Sequence, residues 1–119
     1  MNKKDEVKEF LPLSPAALHI LLALAGEDLH GYGIMLGVAQ QSNDQYKLGP
    51  GTLYDNLRKL MIQGCVEEVQ KRAAGGDPRR RYYRLTSLGR RVLAAEVARL
   101  ETVIRDAKSQ LLGAKPRRA

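Results

Sequence analysis

The sequence predicts a mainly α fold with one small β-hairpin and a long C-terminal helix. Three observations lead to this prediction. Apolar residues recur at helical spacing before Gly64, two short segments then flank a stretch rich in chain breakers, and a heptad pattern runs towards the C-terminus. At 119 residues, the chain has the length of one domain.

The first two helices are predicted from capping residues and apolar spacing. Ser14 and Pro15 are a typical helix start, and Gly26 ends the segment. A second helix is predicted over about residues 31–41, although each of its two internal glycines costs about 1 kcal/mol relative to alanine. Tertiary packing must therefore stabilise it. The predicted apolar face of the first helix consists of Leu18, Leu21, Leu22 and Ala25, widened by Ile20 and Leu24.

The third helix is predicted to begin at the turn Gly49-Pro50-Gly51 and to end at Gly64. It has one apolar and one polar face, so we expect it to pack on the core while offering side chains to a partner. The apolar face consists of Leu53, Leu57, Leu60 and Met61. The polar face consists of Thr52, Tyr54, Asp55, Asn56, Arg58 and Lys59.

The spacing of apolar residues changes after Gly64. The segments CVEEVQK and RRYYRLT are short and rich in β-branched or aromatic residues, and RAAGGDP separates them, which predicts a hairpin with arginines around its tip. Between Lys71 and Arg91 lie eight basic residues and one acidic residue, whereas the bases and acids elsewhere balance. The net charge of +7 is therefore concentrated here. We expect an anionic partner, with nucleic acid as the leading candidate.

Thr86 is predicted to cap a long helix from Ser87 to Leu112. A helix of about 25 residues is about 37 Å long, which is more than this small domain can cover. We expect the partner to be the same helix of a second copy, and packing back on the first helix is the alternative. The predicted homodimer seam has heptad spacing and consists of Leu93, Val97, Leu100, Ile104, Ala107 and Leu111.

Three helices followed by a hairpin predict a winged helix-turn-helix, whose third helix enters the major groove while the hairpin, or wing, lies along the DNA backbone. The predicted parts are an N-terminal arm (residues 1–11), a DNA-binding domain (12–86), a dimerisation helix (87–112) and a basic disordered tail (113–119). The predicted contacts with double-stranded DNA are Thr52, Tyr54, Asn56, Arg58, Lys59, Arg79, Arg80, Arg81 and Tyr82.

Some of these side chains have a second interpretation. Thr52 suits both phosphate binding and a role as N-cap of the third helix, and Arg58 could instead pair with the acid three residues earlier. Alternation places Tyr82 and Tyr83 on opposite faces of the hairpin, so we expect one of them in the core. Tyr32 is predicted to lie in the core beneath the third helix.

Four motifs support a family resemblance. They are HGYGI (residues 30–34), GPGTLYDNLRKL (49–60), Gly64 and RRRYYRLTSLGRRVL (79–93). In order and spacing, over roughly residues 12–112, the sequence resembles the PadR family of bacterial transcriptional regulators, in particular its short members with one helix after the wing. The resemblance implies a winged-helix homodimer, usually a repressor, whose C-terminal helices form the interface.

The sequence departs from that family at a few places. Gly33 stands where an acidic residue is common, and Met61 and Cys65 replace the usual glutamate and leucine. Some short members hold planar aromatic drugs between interface tryptophans, and this sequence has no tryptophan. A small-molecule effector remains a prediction without a named ligand. The candidate lining of a cavity between paired helices is aliphatic and consists of Val97, Leu100 and Ile104.

No residue pattern indicates an enzyme, a cofactor or a metal site. His19, His30 and Cys65 lack further ligands at metal-binding spacing, and no Ser/His/Asp set or nucleotide-binding loop is present. No apolar run reaches the ~18 residues of a membrane span, and the first residues do not resemble a signal peptide. One cysteine forms no internal disulfide, so we expect a cytoplasmic protein.

An alternative function uses the same scaffold. The protein would then be a winged-helix adaptor that binds an acidic protein partner through its basic surface. An adaptor would bind a palindromic duplex no better than random DNA, whereas a sequence-specific regulator would prefer its operator.

Overall fold

The computed structural model describes residues 3–70 and 81–113, with side chains from Glu6 onward. It has a mainly helical winged-helix fold with a small three-stranded antiparallel sheet and a long C-terminal helix, so the predicted fold class is confirmed. In chain order the elements are α1 (Lys3–Lys8), α2 (Pro15–Gly26), β1 (Leu29–His30), α3 (Gly31–Gln41), α4 (Pro50–Ile62), β2 (Val66–Val69), β3 (Tyr82–Leu85) and α5 (Ser87–Leu112).

Helices α2, α3 and α4 pack around one core. The hydroxyl of Ser14 caps α2 by accepting the N–H of Ala17 at 3.1 Å. Leu18 and Leu22, predicted for the buried face of α2, are only half-buried, because α2 packs on its neighbours through the adjacent side. The side chains buried between the three helices are Ile20, Leu21, Leu24, Ile34, Val38, Leu53 and Leu57.

His30 fixes the start of α3. Its Nδ1 atom accepts the N–H of Gly33 at 3.2 Å, and its ring meets that of Tyr82 edge to face, with centroids 5.4 Å apart. These contacts give His30 a structural role. The prediction that Tyr32 lies in the core is wrong, because its side chain is 61% exposed on the first turn of α3, and the buried position is taken by Ile34.

The sheet has the strand order β1-β3-β2. The predicted hairpin is confirmed by β2 and β3, which pair with Glu67 opposite Arg84. Strand β1 was not predicted, because two residues are too few to show alternation. Gly64 follows α4 with a φ of 81°, a conformation that favours glycine. The tip of the wing, residues 71–80, lies outside the described residues.

Helix α5 begins where predicted, with the hydroxyl of Thr86 accepting the N–H of Gly89 at 3.0 Å. Its first turns are buried against the domain through Val92 and Leu93. From residue 101 to residue 113 every side chain is exposed. The helix therefore extends beyond the domain that it joins.

A buried carboxylate anchors α5. Glu96 is 1% exposed, and its Oε2 atom accepts the N–H of Leu13 at 2.7 Å while its Oε1 atom accepts the Nε–H of Arg99 at 2.5 Å. The hydrogen bond from Arg99, together with the one from Leu13, outweighs the effect of burial and lowers the pKa of Glu96. Sequence reasoning missed this residue, because its partner Leu13 is distant in the chain.

The predicted N-terminal arm contains a short helix. Helix α1 lies along α5, with Val7 buried between them. A groove of about 740 Å³ remains between the two helices, and small or apolar side chains form most of its wall. Of the predicted tail, Gly113 follows α5 and residues 114–119 lie outside the described residues.

Candidate nucleic-acid interface

Helix α4 presents an exposed face away from the core. Its N-cap is Gly49, and no side chain caps the first turn. The interpretation of Thr52 as the N-cap is therefore wrong, and its exposed side chain lies in the first turn of the helix. The first N–H groups of a helix lack partners within it, and together they favour an anion. This end of α4 can therefore bind a phosphate.

Tyr54 lies at the junction of α4, α3 and the sheet. Its side chain is 46% exposed, and its hydroxyl rests against Gly31 at the start of α3. It is also near Tyr83, whose pKa is raised by burial, then by Glu68 and by Tyr54. The ring of Tyr54 is therefore in contact with the start of α3 on one side, and its other side is open to a ligand.

The two cations of α4 share one acid. Arg58 Nη1 lies 3.7 Å from Asp55 Oδ1, and Lys59 Nζ lies 3.2 Å from Asp55 Oδ2. All three side chains are more than half exposed. Exposed pairs of this kind contribute little stability, about 0–1 kcal/mol. A phosphate can therefore replace Asp55 as their partner at low cost.

Asn56 differs from the other candidates on α4. Its Nδ2 atom donates to the backbone oxygen of Thr52 at 2.8 Å, and its side chain is half-buried. With Lys59 it lines a cleft whose other walls are formed by Phe10, Pro12, Leu13, Ser14, Ala17, Leu60 and Gln63. The side chain therefore lies on the flank of α4 towards α2, away from Tyr54.

The described base of the wing is less basic than its sequence indicates. Arg84 Nε lies 2.6 Å from Glu67 Oε1, and Arg81 Nε lies 3.6 Å from Glu68 Oε1. The antiparallel register sets the first of these pairs, because Glu67 is directly opposite Arg84. Sequence reasoning missed them because the acids precede the basic segment. Arg79 and Arg80 lie outside the described residues.

The two tyrosines of β3 lie on opposite faces of the sheet, with one in the core, as predicted. Tyr83 is buried in the core, and Tyr82 is half-buried beside His30. Tyr82 and Tyr54 thus both lie beside the start of α3, since Tyr82 contacts His30 and Tyr54 contacts Gly31. The structure brings these two candidates together, with Arg81 one residue from Tyr82 on the strand.

The predicted dimer seam lies mostly on exposed helix. Val97, Ile104 and Leu111 are all more than a third exposed, and Ile104 reaches 53%. Leu93 is instead buried in the core of its own domain, so the exposed part of the seam begins at Val97. On another side of α5, the groove beside α1 is lined by Val7, Lys8, Leu11, Arg91, Ala94, Ala95, Ala98, Arg99 and Thr102.

Residues 3–70 and 81–113 show no sign of a metal centre or a membrane span. No cluster of histidine, cysteine and carboxylate side chains in these ranges could hold a metal ion. Cys65 is fully buried, and burial raises the pKa of its thiol. None of the helices within this part of the chain is long and apolar enough to cross a membrane.

The sequence matches one protein family over most of its length. Residues 20–95 match the transcriptional regulator PadR-like family. Transcriptional regulator Rv3488 of Mycobacterium tuberculosis is 34% identical over 89 residues, covering 75% of this chain and 78% of that protein.

Solved structures show the same fold. A PadR family transcription regulator from Clostridium difficile has a TM-score of 0.64 at 25% identity, over 83% of this chain and 99% of that one. A transcriptional regulator from Clostridium thermocellum has a TM-score of 0.68 at 20% identity, over 93% and 99% of the two chains. The family match and the curated relative together cover most of the sequence, and the chain belongs to the PadR-like family of transcriptional regulators.

Proposed function

We propose that this PadR-family regulator is a repressor that binds a palindromic operator as a homodimer and is released by a small-molecule effector. The observation that carries the proposal is the exposed face of α4 with its uncapped first turn, next to the base of the wing. In this proposal α4 enters the major groove, and the arginines of the wing contact phosphates.

Each candidate on α4 has a defined task in this proposal. Thr52 and the uncapped first turn bind a phosphate, and Tyr54 contacts a base or a phosphate. Arg58 and Lys59 give up their ion pairs with Asp55 and contact DNA instead. Asn56 reaches DNA only from the flank of the helix, where its Oδ1 atom remains available as an acceptor.

Homodimerisation is supported by the exposed length of α5. Val97, Ile104 and Leu111 form an exposed apolar stripe with heptad spacing, and every α5 residue from 101 onward is exposed. A second copy of α5 would cover this stripe and remove its apolar side chains from water.

A two-fold dimer fixes the form of the operator. Two copies of α4 related by a two-fold axis read the same sequence on opposite strands, so the site is palindromic. The half-sites are expected about one helical turn apart, roughly 10–10.5 base pairs, or a multiple of it. An effector bound between the paired α5 helices would change this spacing and so release the DNA.

The test is selection of bound duplexes from a random DNA pool by the purified protein. We expect a palindrome to be enriched, and we expect transcription from a promoter carrying it to fall when the protein is added. A matched selection with Arg58→Ala, Lys59→Ala should enrich it less. If no sequence is enriched over random DNA, the proposal is wrong and the adaptor function with an acidic protein partner is favoured.

A further inference from the structure

At Gly31, the first residue of α3, the side chain of Tyr54 from α4 lies directly against the backbone. A Cβ atom at this position would lie 2.9 Å from Cζ of Tyr54 and closer still to its hydroxyl oxygen. Carbon atoms in contact are normally 3.5–4.0 Å apart. Any other residue at position 31 would therefore displace the ring of Tyr54.

The backbone does not require glycine at this position. The described glycine with positive φ is Gly64, whereas Gly31 is the first residue of α3 and has helical geometry. Glycine is less favourable than alanine in helices. Glycine at position 31 therefore leaves room for the side chain of Tyr54, which occupies the place that a Cβ atom would take.

The ring of Tyr54 is in contact on one side and open on the other. Its hydroxyl end rests against the start of α3, and 46% of its side chain is exposed. A side chain that is already fixed loses less conformational freedom when it binds.

We propose that Gly31 is a positioning residue for DNA recognition. Because it has no side chain, it leaves room for the ring of Tyr54 in an orientation that faces the DNA. This inference rests on the proposed DNA-binding function of α4. Gly31 itself contacts no base or phosphate in this proposal. Its effect passes entirely through Tyr54.

The geometry makes Gly31→Ala a mild substitution for the fold. The atoms in the way are the far end of one half-exposed side chain, which can swing outwards without moving the backbone. Gly37→Ala is the matched control, because a Cβ atom there would lie 3.5 Å from that of Ala23, an ordinary contact. Both substitutions place alanine in the same helix.

The first experiment needs no DNA. Fluorotyrosine is introduced at position 54, and its fluorine resonance is recorded in the wild type, in Gly31→Ala and in Gly37→Ala. We expect the resonance to move in Gly31→Ala and to stay unchanged in Gly37→Ala. An unchanged resonance in Gly31→Ala would overturn the inference, whatever the protein binds.

The second experiment is a double-mutant cycle on DNA. Affinities for the duplex selected from the random pool and for a random duplex of equal length are measured for Gly31→Ala, Tyr54→Ala and the double variant. We expect Gly31→Ala to lower the ratio of the two affinities about as much as Tyr54→Ala does, by roughly fivefold or more. The double variant should show no further loss.

The cycle separates three outcomes. If Gly31→Ala keeps the wild-type ratio, or lowers it equally when Tyr54 is already alanine, the positioning role is wrong while DNA binding stands. If the wild type itself has no preferred duplex, the proposed function fails, and this inference fails with it. If Gly31→Ala does not fold, the double variant should fold, because Tyr54→Ala removes the ring that the new Cβ atom would strike. A double variant that also fails to fold would overturn the inference.

Discussion

The carboxylate of Glu96 accepts the backbone N–H of Leu13 at 2.7 Å, and this bond ties α5 to the segment that leads into α2. The winged-helix domain and the proposed dimerisation helix therefore meet at one buried carboxylate. Arg99 holds the same carboxylate from the next turn of α5. A movement of α5 must either carry the start of α2 with it or break this bond.

Glu96→Ala should lower the free energy of unfolding by about 1–3 kcal/mol, because it leaves the buried N–H of Leu13 without an acceptor. Thermal and urea denaturation would measure the loss. Glu101→Ala, an exposed position one turn later, is the control and should change stability by less than about 0.5 kcal/mol. Equal stability of the two variants would contradict the anchoring role.

The stability that Glu96 contributes should depend on pH. The pKa of Glu96 is lowered in the folded protein from its ordinary value of 4.5, so its contribution is complete above that value and is lost as the pH falls through the folded pKa. The wild type should therefore lose its advantage over Glu96→Gln as the pH is lowered from 6 towards 3. Urea denaturation of both proteins across this range measures the difference, and a constant difference would contradict the assignment.

If the protein is the proposed homodimer, the double substitution Leu100→Asp with Ile104→Asp should convert it to a monomer that remains folded. Each apolar side chain that a partner covers fully is worth about 1.5–3 kcal/mol, and a carboxylate in the seam adds a desolvation cost. Light scattering gives the mass, and circular dichroism checks the fold. Asp106→Lys, an exposed charge change elsewhere on α5, should leave a dimer. A double variant that is still dimeric would place the interface elsewhere.

Wing and helix substitutions should separate affinity from specificity. Arg79→Ala with Arg80→Ala should weaken binding to operator and random DNA alike and flatten the slope of log affinity against log salt by up to ~1.8, because phosphate contacts release counterions. Tyr54→Ala and Asn56→Ala should instead reduce the preference for operator by roughly 1–3 kcal/mol per lost base contact and leave that slope almost unchanged. Salt titrations of each variant with operator and with random DNA measure both effects. If the arginine variant loses its preference for operator and the Tyr54 variant loses only salt dependence, the roles assigned to the wing and to α4 are reversed.

Gly89→Ala should destabilise the protein by about 1–3 kcal/mol, because its Cβ atom would overlap the backbone carbonyl of Cys65, which cannot swing away. The control is Gly26→Ala, where no atom lies within 4 Å of the added Cβ. The melting temperatures of the two variants measure the difference. A normal melting temperature for Gly89→Ala would mean that α5 and β2 can separate without loss.

Most of the fold follows from local patterns. The bounds of α3 and α5 agree with the sequence, because helical spacing marks α3 and the cap residue Thr86 marks the start of α5. Strand β1 was missed because two residues carry no periodicity. Tyr32 was misplaced because the period of a helix is unreliable in its first turn, where a side chain can point away from the neighbouring helices.

The candidate site was predicted only in part. The exposure of Tyr54, Arg58 and Lys59 follows from the helical period of α4, since the leucines occupy the opposite face. The seat of Tyr54 on Gly31 depends on how two helices cross, which no local pattern contains. The strand pairs that neutralise Arg81 and Arg84 likewise depend on register, so the charge of the isolated segment overstates the charge that faces a partner.

In the proposed complex with DNA, Asp55 makes binding by α4 an exchange of partners, because Arg58 and Lys59 are already paired with its carboxylate. In the free protein its carboxylate occupies the position beside Arg58 and Lys59 that a phosphate oxygen or a base acceptor would take in a complex. An incoming acceptor must therefore displace an anion that is already in place, and because both pairs are exposed this displacement costs only about 0–1 kcal/mol per pair. In the proposed complex Asp55 is thus a weak internal competitor, which holds the two cations in place until an acceptor on the DNA takes over.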